Sequence, residues 1–196
     1  RKNFSHQGPD DPPVTNVTWH EALAYAQWHG FNLPSEAEWE KAARGTDRRI
    51  YPWGNEWHTG LANTAEYNLG KPNTLGMRLI RRSKFSGGTT PAGYFSSQGD
   101  SPYGCADMAG NVWEWTRSLW GPDLASAQFS YPYNPADGRE DLKASSNMLR
   151  VLRGGSCIGF RGGARCACRN RNDPCSWLHD IGFRVVVVSP IFISGL

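Results

Sequence analysis

The chain has 196 residues, 39% of them hydrophobic, and a formal net charge of only +3 at pH 7. This length and apolar content predict one globular domain over residues 1–196 with a core of its own. The small charge argues against nucleic-acid binding, and no apolar run approaches the length of a membrane span, so we expect neither nucleic acid nor direct membrane insertion.

Two helices are predicted near the N-terminus because each begins with a capping box. Thr18 and Glu21 open the first, and Ser35 and Glu38 open the second. Apolar residues recur at helical spacing after each cap, and a glycine follows each stretch as a stop signal.

The remainder of the chain is rich in turns, with short strand-like segments at 112–116, 151–153 and 181–188. No long helical period returns after the second helix, and glycine and proline together contribute 22 + 13 = 35 residues. Two early helices followed by short strands and long loops predict an α+β fold.

Residues 172–184, with the sequence NDPCSWLHDIGFR, follow neither the strand nor the helix period. The segment lies directly before the last predicted strand. A run with no repeat in that position raises the question of what selects its residues.

Five motifs occur in a fixed order along the chain: PVTNVTWHEALAYAQWHGFNLPSEAEWEKAARG, YPWGNEW, YGCADMAGNVWEWTRS, RVLRGGS and IGFRV. In these motifs, from about Pro13 to Val188, the chain resembles the formylglycine-generating enzyme (sulfatase-modifying factor) family. The resemblance implies a C-type lectin-like fold of that type, with two helices early, then short antiparallel strands and long irregular loops. Only twelve residues precede Pro13, so we expect the family's N-terminal segment to be missing.

The resemblance implies no copper here and no catalysis. In the oxidases of the family, two cysteines on the loop after Gly-Gly-Ser bind copper, and soft thiolates suit Cu(I). Between Ser156 and Arg165 this chain has a single cysteine, Cys157, where the oxidases have an aromatic residue. A non-haem iron site is not expected either, because His179 is the only histidine of the C-terminal half.

The resemblance also implies a calcium site at the turn GNVWEW. Matching residue by residue gives the side chains of Asp107 and Glu114 and the backbone carbonyls of Gly110 and Val112 as ligands, the oxygen donors that Ca²⁺ prefers. The alternative is that Asn111 and Glu114 brace this turn by hydrogen bonds alone.

The irregular segment fits one group within this fold family, the variable proteins of diversity-generating retroelements. In these proteins, randomised asparagine codons yield residues such as Cys, Ile, Gly, Phe, Ser, Leu, His and Asp. Trp177 is outside that set, but an arginine codon beginning with adenine reaches tryptophan by one change. The predicted ligand-binding residues, in a variable region of about 157–180, are Cys157, Ile158, Gly159, Phe160, Gly163, Asp173, Cys175, Ser176, Trp177, Leu178, His179 and Asp180.

We therefore expect a diversified ligand-binding protein of bacterial or phage origin that is not an enzyme and binds a protein or another macromolecule. Ile158, Phe160, Trp177 and Leu178 are expected to form an exposed apolar patch with a polar rim; the alternative for Phe160 and Trp177 is core packing. Two other functions stay open: a copper-dependent formylglycine-generating oxidase, and a non-catalytic paralogue that binds a constant partner.

Overall fold

The computed structural model describes residues 11–69 and 88–187. Within them the chain forms three α-helices, one 3₁₀ turn and four strands. The elements in chain order are α1 (Trp19–Trp28), α2 (Glu36–Arg44), the 3₁₀ turn (Thr59–Leu61), α3 (Ala65–Leu69), β1 (Trp113–Gly121), β2 (Leu149–Arg153), β3 (Asn170–Asn172) and β4 (Ile181–Phe183).

Both predicted capping boxes are present. The Thr18 hydroxyl accepts from the Glu21 amide, and the Glu21 carboxylate accepts from the Thr18 amide at 2.9 Å. Ser35 and Glu38 make the same reciprocal pair at the start of α2. Gly45 ends α2 with φ 66°, a conformation that suits glycine.

The four strands form one sheet in the order β3-β2-β1-β4. β2 pairs antiparallel with both β1 and β3, as predicted, whereas β4 pairs parallel with β1, so the prediction of antiparallel strands is wrong for this pair. The segment 173–180 causes the difference, because it carries the chain back across the sheet to the start of β1.

The last strand is shorter than the predicted range 181–188. Hydrogen-bonded pairing ends at Phe183, and Val186 then forms a single bridge with Asn32. Val188 lies outside the described residues.

The main core lies between α1 and the sheet. Trp19, Ala22 and Ala26 on α1 pack with Trp115 of β1 and Ile181 of β4, so the helix covers the strands that carry the site. Within residues 11–69 and 88–187, no helix has both the length and the apolar character needed to cross a membrane.

Several of the C-terminal arginines are internal rather than exposed. The Arg153 guanidinium is fully buried and pairs with Glu36 and Glu40, and Arg169 also pairs with Glu36. Arg153 and Arg169 are therefore part of the structural framework, because each is held inside the domain by an acidic partner.

Candidate binding surface

Two loops meet at the start of β1, loop A (residues 156–169) and loop B (residues 173–180). The Cys157 amide, near the beginning of loop A, donates to the Asn111 carbonyl at 2.9 Å. The Trp113 amide donates to the carbonyl of Asp180, the last residue of loop B, at 2.8 Å. Asn111 and Trp113 are two residues apart, so the inner ends of the two loops are neighbours.

The large apolar residues of both loops point to the solvent. The exposed fractions are 38% for Ile158, 41% for Phe160, 64% for Trp177 and 46% for Leu178. His179 is also exposed. The structure thus agrees with surface positions for these residues and excludes core packing for Phe160 and Trp177.

The smaller predicted residues divide between exposed and half-buried positions. Asp173 and Cys175 are exposed, whereas Gly159, Gly163 and Ser176 are half-buried. These five residues lie within the two loops, although three of them offer less surface than predicted.

The prediction of surface positions is wrong for Cys157 and Asp180. Their exposed fractions are 1% and 7%. Both residues lie where a loop joins the sheet, so their side chains are enclosed beneath the exposed positions rather than among them. Burial is the main cause that raises the pKa of the Cys157 thiol to about 11, and the nearby Asp180 carboxylate adds to it.

Helix α3 fixes the backbone of loop A. The Ala65 amide donates to the Gly159 carbonyl at 2.8 Å. The Arg161 amide donates to both carboxylate oxygens of Glu66, at 2.9 and 3.1 Å. Loop A therefore has hydrogen-bonded backbone positions that do not depend on its exposed side chains.

Asparagine side chains extend this support to the turn before β1. The side-chain amide of Asn68 donates to the Cys157 carbonyl at 3.0 Å and to the Asn63 side-chain oxygen at 2.9 Å. The side-chain amide of Asn63 in turn donates to the Asn111 side-chain oxygen at 3.2 Å. The turn and the first residues of loop A are thus joined through side chains of a different part of the chain.

Loop B is held in a similar way by α1 and the residues before it. The Pro174 carbonyl accepts from the Trp19 amide and the Leu178 carbonyl accepts from the Asn16 amide, both at 3.1 Å. Inside the loop, the Asp173 carboxylate accepts from the Cys175 amide at 2.7 Å. Trp177 and Leu178 are therefore displayed from a fixed backbone.

The supporting residues Asn63, Glu66 and Asn68 were not identified as part of the site from the sequence. They lie in or beside a helix of five residues, too short to give a periodic signal. Glu66 is 4% exposed, and a buried carboxylate normally requires donors, but its burial is not visible in the sequence.

The turn that the resemblance assigns to calcium is already held by a cation of the protein itself. The Glu114 carboxylate accepts from the Arg184 guanidinium through both oxygens, with Arg184 Nη2 2.6 Å from Oε1, and from the Trp39 indole at 2.6 Å. Arg184 Nη2 also donates to the carbonyls of Ala106 and Asp107, at 3.1 and 3.3 Å. In this arrangement Glu114 and a calcium ion do not fit together, because the guanidinium takes the place of the cation.

Asp107, the other side chain of the expected calcium site, also has an internal role. Its carboxylate accepts from the Gly93 amide at 2.7 Å, and its pKa is raised, chiefly by burial. This geometry favours the hydrogen-bonded turn. Within residues 11–69 and 88–187, no group of three or more His, Cys, Asp or Glu side chains is placed to hold a metal ion.

The two thiols near the ends of loop A are buried. Near its start, the Cys157 thiol has a raised pKa that favours the protonated form at neutral pH. Cys166, near the other end, packs against Trp39 and Met108, and burial raises its pKa to about 12.

Comparison with known proteins gives related sequences over nearly the whole chain. The family model of the sulfatase-modifying factor enzyme 1-like domain matches residues 1–188. The chain is similar to the formylglycine-generating enzyme of Bos taurus, with 33% identity over 196 aligned positions that cover 93% of this chain and 48% of that protein. It is also 34% identical to the inactive C-alpha-formylglycine-generating enzyme 2 of Bos taurus, covering 88% of this chain and 49% of that protein. The chain spans about half the length of these relatives.

A solved structure gives the fold. Variable protein 1 of Treponema denticola superposes with a TM-score of 0.62 at 22% identity, over 93% of this chain and 74% of that one. The chain therefore has the α+β, C-type lectin-like fold that the five sequence motifs imply.

Proposed function

Because the chain belongs to the sulfatase-modifying factor enzyme 1-like domain family and shares its fold with a variable protein, we propose that it is a diversified ligand-binding protein. In this proposal it is the variable protein of a diversity-generating retroelement. It presents randomised side chains of loops A and B to a protein or another macromolecule and has no catalytic role.

The observation that carries the proposal is the division between backbone and side chains in the two loops. Backbone groups of Gly159, Arg161, Pro174 and Leu178 are bonded to the rest of the domain. The neighbouring large side chains are exposed and available to a partner. A surface that must accept many residue types needs this division, because the fold is then independent of the residues that vary.

The position of the exposed residues also supports binding. Phe160 is three residues from Cys157 and Trp177 is three residues from Asp180, and the inner ends of the loops adjoin each other at β1. Three residues span at most about 10 Å. The two exposed runs therefore extend from neighbouring points at the start of β1, and on such a surface a few aromatic side chains can provide most of the binding energy.

The similarity to formylglycine-generating enzymes makes an oxidase the competing proposal. That activity belongs to the relatives, and the residues of this chain offer it little support. Loop A has a buried, protonated Cys157 near its start and no second cysteine before Cys166, which packs in a separate cluster.

The direct test is to sequence the 3′ end of the gene in many cells of one population, together with the neighbouring DNA. We expect variation confined to codons within about 157–180, and nearby an asparagine-rich near-copy of that segment beside a reverse transcriptase gene. An invariant 3′ end with no near-copy would contradict the proposal and would favour a paralogue with a constant partner.

A further inference from the structure

The exposed charge of the two loops is mainly positive. Between Asp141 and Asp173 the sequence contains no acidic residue, whereas loop A contains Arg161 and Arg165. Both arginines are exposed, and among residues 11–69 and 88–187 neither guanidinium forms an ion pair. Arg165 makes one internal contact, from Nε to the Gly162 carbonyl at 2.9 Å.

Loop B has one exposed carboxylate, Asp173, to set against the two arginines of loop A. Asp180 is buried beneath the surface, and the Asp173 carboxylate accepts from the Cys175 amide. The exposed His179 stands between Leu178 and Asp180. Arg161 directly follows the exposed Phe160 in the chain, and within residues 11–69 and 88–187 the guanidinium groups of Arg161 and Arg165 have no ion-pair partner.

We infer that the partner of this surface is an acidic protein or peptide in which an apolar side chain is surrounded by carboxylates. The inference rests on the proposed function and narrows it to one class of ligand. The apolar side chain would pack among Ile158, Phe160, Trp177 and Leu178. The carboxylates would pair with Arg161 and Arg165, whose planar guanidinium groups bind carboxylates through two hydrogen bonds.

A nucleic acid also combines negative charge with flat apolar groups, but it fits less well. Two unpaired arginines neutralise few phosphates, and nucleic-acid affinity depends on many such contacts. Half of the apolar centre is aliphatic, from Ile158 and Leu178, whereas bases stack on aromatic rings. The observations therefore favour a polypeptide.

The experiment selects ligands from a displayed library of random short peptides, using the purified protein. The expected result is enrichment of peptides with Asp or Glu next to Trp, Phe, Leu or Met. Replacing Phe160 and Trp177 together by Ser should weaken the binding of an enriched synthetic peptide at least about tenfold, since central aromatic residues dominate such contacts.

The charge component is tested with the double variant Arg161→Gln, Arg165→Gln. Raising sodium chloride from about 0.1 M to about 1 M shortens the screening length from about 10 Å to about 3 Å. We expect the higher salt concentration to slow association of the enriched peptide with the unaltered protein about tenfold, because rim charges act mainly on the association rate. The association rate with the double variant should change little. Lys41→Gln with Lys143→Gln removes the same charge from exposed positions on α2 and before β2, and should leave the salt effect in place.

The outcomes separate the inference from the proposed function. Enriched peptides that require Phe160 and Trp177 but are neutral or basic, or that ignore salt, would overturn the acidic partner and leave a binding surface. Absence of any peptide that depends on these residues would overturn both. Tighter binding of a single-stranded oligothymidylate than of every enriched peptide would overturn the polypeptide partner.

Discussion

At the scale of single residues, buried and exposed side chains alternate abruptly where loops A and B join the sheet. Cys157 is enclosed and Ile158 is exposed, and Asp180 is enclosed whereas His179 is exposed. One step along the chain therefore changes what a substitution does to the fold.

Replacing Ile158, Phe160, Trp177 and Leu178 together by Asn or Ser should change the free energy of unfolding by less than about 0.5 kcal/mol per position, since exposed positions tolerate substitution. Trp115→Ala is the buried control and should cost about 3–5 kcal/mol. Urea unfolding measures both. A comparable loss in the loop variant would mean that these residues belong to the core.

Cys157 should respond in the opposite way to its neighbour. Cys157→Tyr forces a large side chain into an enclosed space and should lower the free energy of unfolding by about 1–3 kcal/mol, whereas Ile158→Tyr should have almost no effect. Thermal melting of the two variants compares them directly. Equal melting temperatures for the two variants would show that position 157 accepts any residue, as the sequence analysis predicts.

The sequence shows that the residues of loops A and B follow neither the helix nor the strand period. It does not show which of their side chains are buried. The hypothesis of randomisation rests on the set of residues in 157–160 and 173–180 and needs no knowledge of the fold. The burial of Cys157 and Asp180 depends on contacts with the backbone of Asn111 and Trp113, far away in the sequence, and no local pattern encodes such contacts.

At the scale of elements, α3 holds loop A, and Glu66 is the centre of that contact. Glu66→Ala leaves the Arg161 amide without its acceptor, which should lower the free energy of unfolding by about 1–3 kcal/mol. Hydrogen exchange at the Arg161 amide should become faster than in the unaltered protein. Glu56→Ala, at an exposed position, is the matched control. Unchanged exchange at Arg161 would mean that loop A is held by other contacts.

The turn before β1 gives a prediction about metal removal. Because the Arg184 guanidinium already pairs with Glu114, a chelator should leave the melting temperature unchanged. A chelator-sensitive melting temperature would instead support the calcium site.

The ion pair itself is tested by substitution. Arg184→Gln leaves the carboxylate of Glu114 buried without its counter-charge and should lower the free energy of unfolding by about 3–5 kcal/mol. Arg49→Gln removes a surface pair with Asp47 and a bond to the Pro52 carbonyl, and should cost far less than Arg184→Gln.

The elements differ in how far their sequences predict them. The caps of α1 and α2 are local signals of four residues, and both are present as predicted. β3 has three residues and α3 has five, so neither contains a full period. The parallel pairing of β4 depends on the path of loop B and is invisible to local patterns.

At the scale of the whole molecule, the domain has a C-type lectin-like fold with exposed apolar residues on loops A and B. We expect no oxidation of a cysteine-containing sulfatase peptide, with or without added Cu(I), because loop A has only the buried thiol of Cys157 before Cys166. Mass spectrometry of the peptide detects the aldehyde product. Turnover above the metal-free background would restore the oxidase as the function.

The parallel pairing of β4 with β1 also has a consequence for protein synthesis. Ile181 pairs with Trp113, 181 − 113 = 68 residues earlier, so the sheet cannot close until the ribosome has passed loops A and B. A stop codon or frameshift within either loop removes β4 and Ile181, a residue of the main core. Such a chain cannot complete the domain and is exposed to proteolysis. The folded domain therefore requires a reading frame that is intact through both loops.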